Sequence, residues 1–281
     1  MCAATILRAI LGQRANRLAV VPRTAGGLLG ILTAPFTHGN AAHLAANLPP
    51  FIILGALVVT TIVAFAFHTQ ILDWLNAPLP ANHRKPVTLG VAEPFVVSVT
   101  VSAYAGFVLS LPVTLWQVWS FFAPAVDPMS ERRVRGLVAF ATALGAGGLA
   151  FGYFILLPRA IHWLTGYDNR QFDNLIQARP YYAFVSTVLL GIVVVFELPL
   201  VLLGLVNLGV ITSRQLRKNR RIGYFIVAVV ALGLPGPDPV TTALELLPMW
   251  VLFEGSIWLA VFSERRAAKA GVLATDRYSG P

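Results

Sequence analysis

Long apolar runs alternate with short polar connections along this chain, and the runs have the length of membrane spans. From Pro94 to Phe122 no side chain carries a charge. A helix of that length rises about 44 Å, longer than the ~30 Å hydrocarbon core, so it must tilt or bend. Pro112, which removes a backbone donor, is the expected bend. Residues 49–67, 134–157, 181–208 and 241–262 are expected to form further spans. Residues 222–234 are apolar but only thirteen long, and LPGPDP then turns the chain. The pattern predicts an all-α polytopic membrane protein of six transmembrane helices, the last two short and able to thin the bilayer locally.

The connections are equally telling. Residues 68–91 are polar and hold Pro78, Pro80 and Pro86, which suits an ordered external cap. Residues 159–180 form a second external loop, and residues 211–221 a basic loop. Gly145-Ala-Gly-Gly148 in the third span would allow close helix approach. Ahead of residue 43 the chain is basic and mildly apolar. Ile6, Leu7, Ile10 and Leu11 have the spacing of an amphipathic helix lying on the membrane, and no clean signal-peptide core is evident.

Composition agrees, with 57% hydrophobic and 12% charged residues against the ~25% charge of soluble domains. The net charge of +9 raises nucleic acid as a partner, but the basic residues lie between apolar runs rather than on one face. They fix orientation instead. Sixteen lysines and arginines fall on the side of the termini and five on the opposite side, which places both termini in the cytoplasm. The single cysteine, Cys2, excludes an internal disulfide. The five histidines are scattered and no phosphate-binding glycine loop occurs, so no metal or other cofactor is expected.

Several motifs together carry a resemblance. SLPVTLWQVWSFFAP followed by Glu131-Arg132-Arg133, then FELPL at 196–200, ITSRQLRKNRR at 211–221, Pro237-Asp238 and LPMWVLFE at 247–254 resemble, in order and spacing, the TatC family of twin-arginine (Sec-independent) protein translocases. The resemblance covers residues 58–262, leaving 263–281 as a basic tail. It implies a core and receptor subunit that binds twin-arginine signal peptides and exports folded proteins across the bacterial plasma membrane. It also implies TatA/TatB-type single-span partners, further copies of the chain, and the protonmotive force in place of nucleotide hydrolysis. No enzyme activity is implied.

Residues 1–57 read differently. VPRTAGGLLGILTAPFTHGNAAHLAAN resembles a fragment of the rhomboid intramembrane proteases, with His38, His43 and Asn47 where that family stabilises an oxyanion. The catalytic partners are missing. There is no Gly-x-Ser-Gly, and Ser256 has no histidine after it. An inactive rhomboid-like fusion therefore stands as an alternative reading. A proton-coupled solute transporter built on Glu197 is another, although no inverted repeat is visible.

The resemblance also nominates residues. Glu131 matches a loop glutamate that contacts the arginine pair, and a carboxylate suits bidentate pairing with guanidinium. Phe121 and Phe122 would hold the apolar part of the peptide, with Arg132 and Arg133 beside them. A solvated loop glutamate is the plainer reading of Glu131. The family's amino-terminal His-Leu-x-Glu-Leu-Arg motif has only His43-Leu44-Ala45-Ala46-Asn47 as its nearest counterpart, without a carboxylate. That implies weakened twin-arginine binding. Glu197 falls near the membrane midplane, where an unpaired charge costs several kcal/mol. It is therefore expected to be either a neutral acid hydrogen-bonded to a neighbouring Ser or Thr, or a polar contact for a partner helix or a locally hydrated patch. Glu93, Asp238 and Glu254, together with Pro78, Pro112 and Pro248, match family positions near helix ends or bends and also serve as simple caps and breaks.

Overall fold

A computed structural model describes residues 41–122, 131–168, 171, 175–234 and 238–278, with side chains except at 41–47, 82, 121–122, 131–134 and 266–278. The chain divides into two compact units, Met1–Leu54 and Gly55–Pro281. The helices are α1 Ala41–Ala66, α2 His68–Asn76, α3 Glu93–Phe122, α4 Glu131–Phe151, α5 Leu157–Gly166, α6 Ala178–Phe196, α7 Leu198–Asn207, α8 Ser213–Lys218, α9 Arg220–Gly233 and α10 Pro239–Tyr278. A π-helical turn, Gly152–Leu156, joins α4 to α5 without a break. Among the described residues the only β pairing is an isolated bridge, Val87 to Gln177.

Among the described residues, five stretches are long and apolar enough to cross a bilayer: Leu48–Ala66, Glu93–Ser120, Arg135–Gly166, Ala178–Asn207 and Pro239–Arg265. The sixth transmembrane helix is α9, whose 14 residues rise only about 21 Å. The sixteen-to-five bias of basic residues keeps both termini on the cytoplasmic face.

Several boundaries differ from those the apolar pattern suggests. The external connection after α1 is no plain loop, because HTQILDWLN winds into α2 and buries Leu75. Its apolar residues recur at helical spacing, which a reading weighted on the nearby prolines passes over. The third span does not stop at residue 157 but continues through the π turn to Gly166. The fourth is two helices, α6 and α7, separated at Glu197. α3 continues through Pro112 to Phe122, and α10 through Pro248 to Tyr278. Trp119, which looks like an interfacial aromatic, is buried against Val138, Ala141 and Leu200.

Packing rests on small residues, as expected where lipid on one side and protein on the other are equally apolar. Thr60 donates its hydroxyl to the Gly106 carbonyl at 2.7 Å, and a Cβ on Gly106 would run into the backbone of Thr61. α4 and α6 approach in the same way. A Cβ on Gly148 would come within 2.8 Å of the Phe196 ring, and one on Gly152 within 2.9 Å of Leu189. The largest cluster of buried apolar side chains among the described residues lies toward the external half. There Leu156, Leu157, Val185 and Ile192 are fully buried beneath α2.

Candidate functional site

The polar chemistry of the described residues is concentrated in a few acidic side chains, each placed by a helix end, a helix break or a helix seam. Glu93 is the first residue of α3. Its Oε2 accepts the backbone N–H groups of Leu89 at 2.8 Å and Gly90 at 3.1 Å. Its Oε1 accepts the N–H of Arg179, 86 residues away, at 3.0 Å. Beside it, Val87 donates to Ile176 and Ala178 donates to Val87, both at 2.8 Å. Glu93 is thus more than a cap, since it fastens one external loop to the start of α6. Tyr182 reinforces the fastening through Asn76 at 2.9 Å, and Tyr181 does so through the Leu75 carbonyl.

Asp238 starts α10, with Pro239 in the first helical position, where proline loses nothing. It accepts the Thr241 N–H at 2.8 Å and also the Thr241 hydroxyl. Both residues are buried, so the cap is sealed from solvent. Glu254 lies in the cytoplasmic half of α10, accepts the Tyr224 hydroxyl, and pairs with Arg220 at 3.5 Å, which ties α9 to α10. Glu264, on the same helix, accepts both the N–H and the hydroxyl of Ser213. That bond holds α8, whose start is closed by a Thr212–Gln215 capping box.

Glu197 is different. It sits where α6 ends and α7 begins, with φ −78° and ψ −5°. Pro199 has no N–H to continue the ladder. The side chain is 7% exposed, and neither carboxylate oxygen has a hydrogen-bond partner. Gly145 lies opposite, where an added Cβ would stand 3.1 Å from Glu197 Oε1. Gly145 and Gly148 therefore make the room that Glu197 and Phe196 occupy, whereas Gly147 faces open space. A buried carboxylate without partners is a costly feature.

Sequence reasoning misses Glu245. It is 1% exposed on α10, one turn beyond Thr241, and its Oε1 is also without a partner. The signal is present as a lone acid in the apolar run ALELLPMW. Ser256, weighed above as a nucleophile, is fully buried and donates to the Leu252 carbonyl at 2.6 Å. Phe121 and Phe122 are the last residues of α3, and Glu131, Arg132 and Arg133 the first of α4. Their side chains and residues 123–130 lie outside the described residues, as do His38 and the amphipathic stretch before it. Pro78 stands in the turn after α2, and no acidic or histidine cluster of metal-binding size occurs among the described residues.

With this geometry in view, the sequence matches the family of Sec-independent protein translocase protein (TatC) over residues 47–248. The chain belongs to the TatC family. Its match begins at Asn47, ahead of residue 58, where the resemblance in the motifs starts. Residues 47–57 therefore read as TatC rather than as rhomboid-like sequence. TatCd of Bacillus subtilis strain 168 is 32% identical over 209 residues, 74% of this chain and 85% of that protein. TatC of Aquifex aeolicus is 31% identical over 216 residues, 75% of this chain and 89% of that protein. A crystal structure of the twin-arginine translocase receptor TatC superposes with a TM-score of 0.68 at 29% identity, covering 75% of this chain and 96% of that one. This TatC protein is accordingly a multi-pass protein of the bacterial plasma membrane and a non-enzymatic component of the Tat translocase. Neither the rhomboid fusion nor the solute transporter finds support in these matches.

Proposed function

We propose that this TatC protein is a receptor that takes twin-arginine signal peptides at its cytoplasmic face, with Glu131 as the anchor for a guanidinium group. Phe121 and Phe122 receive the apolar segment of the peptide, and Arg132 and Arg133 flank the anchor. Glu197 receives a polar contact from a single-span TatA/TatB-type partner, and further copies of the chain complete the assembly. Export of the folded cargo draws on the protonmotive force.

The observation that carries this reading is the position of Glu131. It is the first residue of α4, directly after the connection from Phe122, on the membrane face that holds most of the basic residues. A carboxylate there can pair bidentately with an arginine. The superposition on a twin-arginine receptor over 96% of that chain supports the same role. The TatC-like body begins at residue 47, and residues 263–281 form a basic cytoplasmic tail.

The test is export in a strain lacking TatC. Glu131→Ala should lose export at unchanged membrane level, and full export by that variant would overturn the reading. A second comparison replaces residues 1–57 with an ordinary TatC amino-terminal helix. The exchanged chain should bind a twin-arginine peptide more tightly than the chain as it stands, and both should discriminate against a twin-lysine peptide. Equal affinities would show that the missing carboxylate near His43 is of no consequence.

A further inference from the structure

Beneath α2 lies a cavity of about 710 Å³ between α3, α4 and α6, which no polar side chain described above uses. Trp74 and Leu75 roof it, Val101 and Ala105 form one wall, and Ala146 and Leu189 form another. The wall is apolar apart from the hydroxyls of Tyr104, Tyr153 and Ser186 and the indole of Trp74. The Tyr153 hydroxyl is already committed to the Trp74 carbonyl at 2.9 Å. A volume of that size lies within the ~300–1,000 Å³ of sites that hold a small organic molecule.

Its depth identifies the solvent around it. Val101 to Leu109 lie eight to sixteen residues in from the external start of α3, or about 12–24 Å. Ser186 to Leu190 lie about 12–18 Å in from the start of α6. At that depth the medium is hydrocarbon, and an occupant must be apolar.

A charge stands further out along the helix that lines the cavity. Phe154, in the wall, is 72% exposed, and five residues further on stands Arg159, on the outer side of the same continuous helix. Arg159 lies about 36 Å along the helix from Arg135, beyond the ~30 Å core and therefore at the external interface. Its one described hydrogen bond goes to its own helix, at the Ile155 carbonyl. No carboxylate pairs with it among the described residues. Trp74, 67% exposed, supplies an amphipathic ring on the same side. The wall between cavity and Arg159 is the π turn at Gly152–Leu156, a rare geometry that tends to mark functional places.

We infer that this cavity holds an acyl chain of one glycerophospholipid from the external leaflet, whose phosphate is met by Arg159 beside Trp74. An apolar tail below a cation at the headgroup level is the arrangement a phospholipid presents. The roof formed by α2 favours a chain end over a continuous transmembrane helix, which would have to pass through it. The bound lipid acts as a filler that keeps α2 seated on the bundle.

The test uses the full chain in phospholipid nanodiscs doped with a phospholipid bearing a diazirine at its acyl terminus. After photolysis, adducts should concentrate on the peptides containing Val101–Leu109 and Ala146–Phe154. Ala105→Phe with Ala146→Phe, which fills the cavity, should reduce them several-fold, and Arg159→Gln should do so to a lesser degree. Adducts spread evenly onto lipid-facing positions such as Ile226 and Val251 would overturn the proposal. If the filled variant does not fold, the distribution on the unaltered chain decides alone. Loss of the adducts on adding a saturating twin-arginine peptide would assign the cavity to the peptide and overturn the lipid.

Discussion

The backbone N–H of Arg179 donates to Glu93 Oε1 across 3.0 Å, joining the start of α6 to the start of α3. The same carboxylate holds Leu89 and Gly90, so one half-buried side chain orders the meeting point of two external loops. Glu93→Ala removes the acceptor for all three amides. Hydrogen exchange should speed up at Leu89, Gly90 and Arg179 while the amides of α9 are unchanged. Unaltered exchange at those three positions would show that the loops hold without it.

Gly148 and Gly147 are neighbours with opposite expectations. A Cβ at 148 would press on the Phe196 ring, and overpacking of this kind costs about 1–3 kcal/mol. Gly148→Ala should lower the melting temperature in detergent, whereas Gly147→Ala, which meets nothing, should leave it unchanged or raise it. Equal effects at both positions would disprove the tight α4–α6 seam.

The two orphaned acids should behave alike in the isolated protein. Glu245→Leu replaces a fully buried carboxylate, one oxygen of which lacks a partner, with an apolar side chain of similar size. Removing an unsatisfied buried group of this kind is neutral to stabilising, so the melting temperature should hold or rise. A clear fall would mean that Glu245 has a partner in the folded bundle.

Glu197→Ala separates stability from function. The isolated chain should melt no lower than the parent, because neither carboxylate oxygen is bonded. On the partner contact proposed for Glu197, export should fall several-fold. A variant that is destabilised yet still exports at the parental rate would contradict the role proposed for this residue.

Arg220 and Glu254 make a half-exposed ion pair, the kind that contributes little. A double-mutant cycle with alanine at both positions should return a coupling of about 0.2–1 kcal/mol. A larger value would mean that Tyr224, which donates to the same carboxylate, acts in one network with them.

Most of this architecture is legible in the amino-acid sequence, because uncharged runs of twenty or more residues have few alternatives to a membrane helix. The orientation follows from lysines and arginines alone. The remainder is hidden by local competition between signals. The prolines after α2 mask it, although Ile71, Leu72 and Leu75 share a face. The break at Glu197 lies inside a run whose hydropathy is the highest among the spans. Glu245 escapes because one acid scarcely alters the mean of a long apolar window. Gly145 and Gly148 stand out in the sequence, but their partners, Glu197 and Phe196, do not, since contacts between spans leave no mark in the spacing of either.

The interruption at Glu197 gives the fourth span the character of a jointed rod. Its outer segment, α6, is fixed to the external loops through Glu93, Tyr181 and Tyr182. Its inner segment, α7, packs chiefly on α10. A load on α10 from the cytoplasmic side therefore meets α7 first, and the turn at Glu197 lies between that segment and α6. The orphaned carboxylate sits at that turn, so a group that bonded it would bear on both segments of the span at once.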